Sequence, residues 1–153
     1  MRRALSCLLA LAFALPAAAQ EQRRWLLDDA GDSATLQYGT PESDDVVIAF
    51  TCENKQLRIS EFVGSTKLTP GQSASLKLSS GTASVVYNGQ AVANEMDGTV
   101  NVEVVRAPDA KLFALLKSGQ QLVIDVAGNQ QTVPLRGAAQ DVATFERACV
   151  GKR

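Results

Sequence analysis

The sequence predicts a mainly β, single-domain protein: an antiparallel β-sandwich or open barrel with two short helices near the C-terminus. Three observations predict it. Apolar stretches are short, alternate with polar residues at period two, and are broken by Gly, Pro, Asn and Asp. The period lengthens to that of a helix only in two late segments. The length, with an N-terminal leader set aside, suits one hydrophobic core.

The leader comes first. Arg2 and Arg3 form a basic head, residues 4–15 are almost wholly apolar, Pro16 breaks the run, and Ala17-Ala18-Ala19 supplies small residues for cleavage. A dozen apolar residues suit a signal-peptide core and are too short to span a bilayer. The expectation is a signal peptide over 1–19 and an exported domain over 20–153, released by cleavage between Ala19 and Gln20. A flexible lead-in over 20–24 should give way to order at Trp25, and residues 28–32 should turn.

Residues 35–38 alternate and predict a strand ended by Gly39. A loop follows over 41–45. Residues 46–52 are the strongest strand, with Val46, Ile48, Phe50 and Cys52 on one face. Cys52 therefore points where the core lies. After a turn at Glu53-Asn54-Lys55, residues 56–63 return as its hairpin partner. Thr69-Pro70-Gly71 marks a further turn. Residues 73–78 alternate strictly, with Ala74, Leu76 and Leu78 inward and Ser73, Ser75 and Lys77 outward. Asn88-Gly89 between two alternating stretches, 83–87 and 90–94, predicts a hairpin, because both turn residues need positive φ. Residues 99–106 form another strand, with Val100, Val102 and Val104 on one face.

The pattern then becomes helical. Asp109 suits an N-cap, Leu112, Leu115 and Leu116 form an apolar stripe, Lys117 occupies the last turn, and Gly119 suits the residue beyond it. Residues 121–126 and 131–135 predict a hairpin around Ala127-Gly128-Asn129. The last helix is expected over 138–148, where Ala138, Val142, Phe145 and Cys149 recur on one face.

Charge and cysteine usage bound the chemistry. The chain has 15 basic and 16 acidic residues; without Arg2 and Arg3 the count is 13 against 16, a net charge of −3. That argues against nucleic acid as a partner, and no later apolar run reaches membrane length, so no transmembrane segment is expected in the processed chain. Cys7 leaves with the leader, and no apolar segment precedes it as a lipoprotein signal would require. Cys52 and Cys149 remain, both inward-facing, and predict one disulfide in an oxidising compartment. Closing a loop of about a hundred residues this way contributes about 4–5 kcal/mol in the loop-entropy account. A metal-binding or reactive thiol pair is the less favoured reading, because CxxC spacing and histidine are both absent.

Catalytic vocabulary is thin. Without histidine the usual general base is missing. No nucleophile elbow, phosphate loop or dinucleotide fingerprint occurs. Ser73 and Lys77 lack the spacing of a Ser-Lys dyad. No catalytic residue and no cofactor is assigned. Two acidic clusters, Asp28, Asp29 and Asp32, and Glu42, Asp44 and Asp45, read as turn residues. Asp28, Asp29, Asp32, Asp44 and Asp45 are kept as metal candidates if their strands converge, though neither cluster has calcium-loop spacing. Trp25, Tyr38, Phe62 and Tyr87 are the candidate surface aromatics, and Tyr87, beside the expected hairpin tip, is the one expected to be exposed. Arg58, Arg106 and Arg136 are candidate anion contacts. Tyr87 and Arg136 are the binding candidates carried forward.

The leader, the tract 112–119, and Val133-Pro134-Leu135-Arg136-Gly137 leading to Phe145 and Cys149 together resemble the invasion-associated locus B family of small exported proteobacterial proteins. The Phe50-Thr51-Cys52 strand also looks like the periplasmic accessory proteins of type VI secretion loci. The resemblance implies a periplasmic or secreted, non-enzymatic role at an envelope or host interface. The expected function is therefore a binding or interaction protein of the bacterial envelope, its partner an unspecified protein or envelope ligand. The alternatives are a carboxylate-based hydrolase acting on envelope glycans, or an enzyme inhibitor presenting the 41–45 or 87–90 loop.

Overall fold

A computed structural model describes residues 23–31 and 33–151. The expected leader with Cys7, the cleavage point, and Asp32 lie outside the described residues. The described strands are β1 (Arg24–Asp29), β2 (Ser33–Gly39), β3 (Val46–Glu53), β4 (Gln56–Glu61), β5 (Ser73–Ser80), β6 (Ala83–Ala93), β7 (Val100–Arg106), β8 (Gln121–Val126) and β9 (Asn129–Pro134). They form one antiparallel sheet in the order β1-β2-β3-β4-β7-β6-β5-β8-β9. The sheet curls into a half-barrel, so the open barrel is the realised form of the two expected. Helices α1 (Ala110–Ser118) and α2 (Ala139–Val150) complete the fold.

Period-two alternation decides what the sheet buries. Ile48, Phe50 and Cys52 of β3, Leu57 and Ile59 of β4, Leu76 and Leu78 of β5, and Leu122, Ile124 and Val126 of β8 all point into the concave face and are buried. Each large apolar side chain so buried contributes about 1.5–3 kcal/mol. The other face is wet, as the β5 pattern requires: Ser73, Ser75 and Lys77 are exposed.

The helices cover the concave face. Asp109 caps α1 as expected, its carboxylate accepting the Lys111 N–H at 2.9 Å. Leu112, Phe113, Leu115 and Leu116 are buried, and α1 packs on β5 and β6. Gly119 stands at the helix end but in an extended conformation, φ −75. Its lack of a side chain is needed for space: a Cβ would lie 2.2 Å from Ser80 Oγ and 2.6 Å from Leu135 Cδ1. Ala138, Val142, Phe145 and Cys149 form one buried stripe, as the spacing predicts, and α2 packs on β1, β2 and β3. Phe145 meets Phe113 edge-on at 6.1 Å, which joins the two helices. Cys149 is bonded to Cys52 across a sequence separation of 97, with the Cα atoms 5.2 Å apart.

The Asn88-Gly89 hairpin is corrected by the structure. β6 runs straight through this dipeptide, pairing with β5 on one side and, over its C-terminal half, with β7 on the other. The turn between β5 and β6 falls instead at Gly81-Thr82, closed by the Ser80–Ala83 pair. Gly89 is a contact glycine: a Cβ there would stand 2.3 Å from the Glu103 carbonyl oxygen and 2.8 Å from Val104 Cγ2. The positive-φ hairpins sit elsewhere, at Asn54-Lys55 between β3 and β4 and at Ala127-Gly128 between β8 and β9.

Two outcomes follow. Cys149→Ser should lower unfolding stability in urea by about 2–5 kcal/mol, and an unchanged midpoint would count against the tie between α2 and β3. Gly89→Ala should cost about 1–3 kcal/mol by forcing β6 away from β7; a neutral effect would mean that the two strands are not in close contact there.

Candidate functional site

The edges of the half-barrel meet where β1 begins and β9 ends. Trp25 of β1 faces inward, registered opposite Tyr38 of β2, with the ring centroids 5.5 Å apart. The Trp25 indole N–H donates to the Pro134 carbonyl at 2.7 Å and so joins the two edges, 109 residues apart in sequence. Beyond Pro134, Leu135 is buried, Arg136 is exposed, and Gly137, at φ +83, turns the chain into α2. A pocket of about 250 Å³ opens at this seam. Arginines 23, 24 and 136 line it with Trp25 and Tyr38, and Asp141 from the first turn of α2 completes its charged rim.

The rim is not uniformly free. Arg23 forms a two-pronged pair with Asp45, at 2.8 and 2.7 Å, and the Thr40 hydroxyl donates to the same carboxylate at 2.8 Å. The Arg23 and Thr40 bonds hold the Asp45 carboxyl below its ordinary pKa. Among the described residues, Arg24 and Arg136 form no ion pair. Tyr38 is 8% exposed and its hydroxyl forms no hydrogen bond among the described residues, but the one buried side-chain polar atom without a partner among them is Asn101 Oδ1. The N-terminus of α2 is also open, because Ala138 at the N-cap offers no side-chain acceptor to the first-turn N–H groups.

Of the two binding candidates, Arg136 reaches this pocket and Tyr87 does not. Tyr87 is buried, contrary to its expected exposure, because its hairpin tip does not exist and its β6 position faces inward. Its hydroxyl donates to Asp109 Oδ2 at 2.8 Å, and the Arg106 guanidinium lies 4.4 Å above its ring and 3.4 Å from the same carboxylate. Burial and then the Asp109 hydrogen bond push the Tyr87 phenol far above its ordinary pKa. For Asp109 burial works the other way, but the Tyr87 and Lys111 hydrogen bonds and the Arg106 charge together hold its pKa down. This cluster fixes the start of α1. Arg58 pairs with Glu103 across β4 and β7.

The acidic clusters lie apart. Asp28 and Asp29 stand at the end of β1 beside the start of β2, whereas Glu42, Asp44 and Asp45 follow the end of β2, and all five are exposed. Among the described residues no group of three or more His, Cys, Asp or Glu could hold a metal ion. The 41–45 segment is an exposed connection, as the inhibitor alternative needs, but 87–90 is mid-strand and presents no loop.

Sequence reasoning missed the seam pocket and Glu61. Glu61 follows Leu57 and Ile59 on the inward face of β4 and is fully buried. The β4–β7 ladder ends at Ser60–Glu103, and the Glu61 carboxylate takes over from the missing backbone carbonyls. It accepts the Val102 N–H through Oε1, and the N–H groups of Val63 and Gly64 through Oε2 at 2.8 and 3.0 Å. The readable signal was an acid in phase with an apolar face. Burial raises its pKa, although the three N–H donors pull the other way.

The chain matches no family model, no curated protein and no solved structure.

Because the folded pKa of Glu61 lies above the ordinary 4.5, the native state holds this proton more tightly than the unfolded chain. The associated stability is present in acid and lost as pH rises above about 4.5. Glu61→Gln should cost about 1–3 kcal/mol, since an amide NH₂ replaces an acceptor facing backbone donors. The gap between native and E61Q stability should narrow as pH rises from 4 to 8; a gap that widens would contradict the raised pKa.

Proposed function

We propose that the protein is an exported, non-enzymatic binding protein of the bacterial envelope, periplasmic or secreted after removal of the leader, in keeping with its resemblance to the invasion-associated locus B family. The observation that carries the reading is the seam pocket, which combines aromatic walls with three arginines. Among the described residues its lining holds one carboxylate, Asp141, where a glycosidase needs two roughly 5–10 Å apart. The Cys52–Cys149 disulfide suits an oxidising compartment. Among the described residues no helix is long and apolar enough to cross a membrane.

Expression of the full chain in a bacterium, with intact mass measured after osmotic shock, tests the export half. The expected product begins at Gln20 and takes up alkylating reagent only after reduction. A full-length cytosolic chain with free thiols would sink it. Incubation of the purified protein with cell-wall glycan tests the other half, with no catalytic release of sugar expected; sustained turnover would establish the hydrolase instead.

A further inference from the structure

We propose that the seam pocket is an oxyanion site, which receives the carboxylate or phosphoryl group of a small ligand. The inference rests on the binding-protein reading and gives that reading a ligand chemistry. Three features with separate origins converge on it.

The first is Tyr38. Its side chain lines the pocket, and its hydroxyl, which forms no hydrogen bond among the described residues and is not a buried unsatisfied group, stands open to a ligand. Arg23 lines the same pocket, and a guanidinium donates without accepting. The phenol can donate to an acceptor oxygen on the side where Tyr38 lines the pocket.

The second is charge. Asp45 occupies Arg23, but Arg24 and Arg136 have no counter-ion among the described residues. Arginine forks match the paired oxygens of carboxylate and phosphate groups. The third is the uncapped first turn of α2, whose N–H groups and dipole favour negative charge.

Asp141 opposes these three and sets selectivity. It lines the same pocket, so it weakens the hold on a bare anion. It favours a ligand that places a hydroxyl or ammonium donor beside its anionic group. A volume of about 250 Å³ accommodates such a headgroup and lies below the usual span for drug-sized ligands.

Trp25 is the chain's single tryptophan and lines the pocket, so its emission reports on occupancy. The purified exported protein is titrated with inorganic phosphate in one arm and sodium acetate in another. Sodium chloride serves as the control, and ionic strength is held constant. Thermal midpoint is the second readout, since a ligand that binds only the folded state raises it. A saturable response to phosphate alone assigns a phosphoryl site, and one to acetate alone a carboxylate site. Responses to both assign an oxyanion site without preference. Arg136→Ala should weaken binding about tenfold, the loss of one charge-assisted contact. Tyr38→Phe should weaken it less, and Asp141→Asn should tighten it severalfold. Opposite signs for R136A and D141N are what a merely structural role would not give. A response no different from chloride in both readouts, or one untouched by R136A and D141N, overturns the proposal. Such a failure leaves the export and non-enzymatic reading to stand or fall on the mass and glycan assays.

Discussion

The structure depends on covering the concave face of a single curled sheet. A sandwich would bury that face against a second sheet; here α1 and α2 must do it. α2 is a helix of 12 residues, a length that is marginal in isolation, so its order comes from burial and from the sulfur link at its C-terminal end. Val142, Phe145 and Cys149 are fully buried. The contact between Phe145 and Phe113 makes the cover continuous with α1, and Lys117 pairs with Glu146 at 2.6 Å on the outside of the same joint.

That link also determines where the seam pocket lies. Cys52 is registered opposite Ala34, near the start of β2, whereas Tyr38 stands four residues further along the same strand. This separates Tyr38 from the disulfide by roughly 13 Å. From Cys149 back to Ala138 the helix rises roughly 16 Å. A helix fastened at its C-terminal end beside Ala34, and packed along β1 and β2, therefore delivers its N-terminus to the Tyr38 end of the barrel. The Trp25–Pro134 bond brings the two sheet edges together at that end. Arg136 and Gly137 bridge β9 to α2 within the same small space. Residues from three distant parts of the chain thus converge through one disulfide and one indole hydrogen bond.

What the sequence made legible is what alternation and spacing determine locally. The inward faces of β3, β5 and β7, the β8–β9 hairpin, the cap at Asp109, the buried stripe of α2 and the Cys52–Cys149 pairing all follow from local pattern and spacing. What it concealed depends on which strands become neighbours. Asn88-Gly89 has the composition of a turn, but a turn forms only if its flanks pair with each other. The two flanks here pair with β5 and β7 instead, and the glycine serves the close approach to β7. The same error put Tyr87 at a tip rather than in the core. The seam pocket was hidden for a related reason: it requires the first and last strands to meet, and no local pattern specifies the curvature that brings them together. Glu61 lay between these cases, visible as an inward acid yet uninterpretable until the β4–β7 ladder was seen to end beside it.

The polar groups near the core divide into closed and open sets. Tyr87 lies under Arg106 and its one O–H is donated to Asp109, so the cluster's strength is spent on holding α1. Glu61 accepts three backbone N–H groups and is likewise complete. Tyr38 has nearly the same surroundings as Tyr87, an inward strand position with arginine nearby, but lacks the acidic acceptor that Asp109 provides to Tyr87. The nearest acid of the β2–β3 connection, Asp45, is committed to Arg23 and Thr40. One phenol is hydrogen-bonded within the fold and the other lines the seam pocket, although residue type and residue burial are almost the same. That contrast separates the closed cluster at Tyr87 from the open lining of the seam pocket.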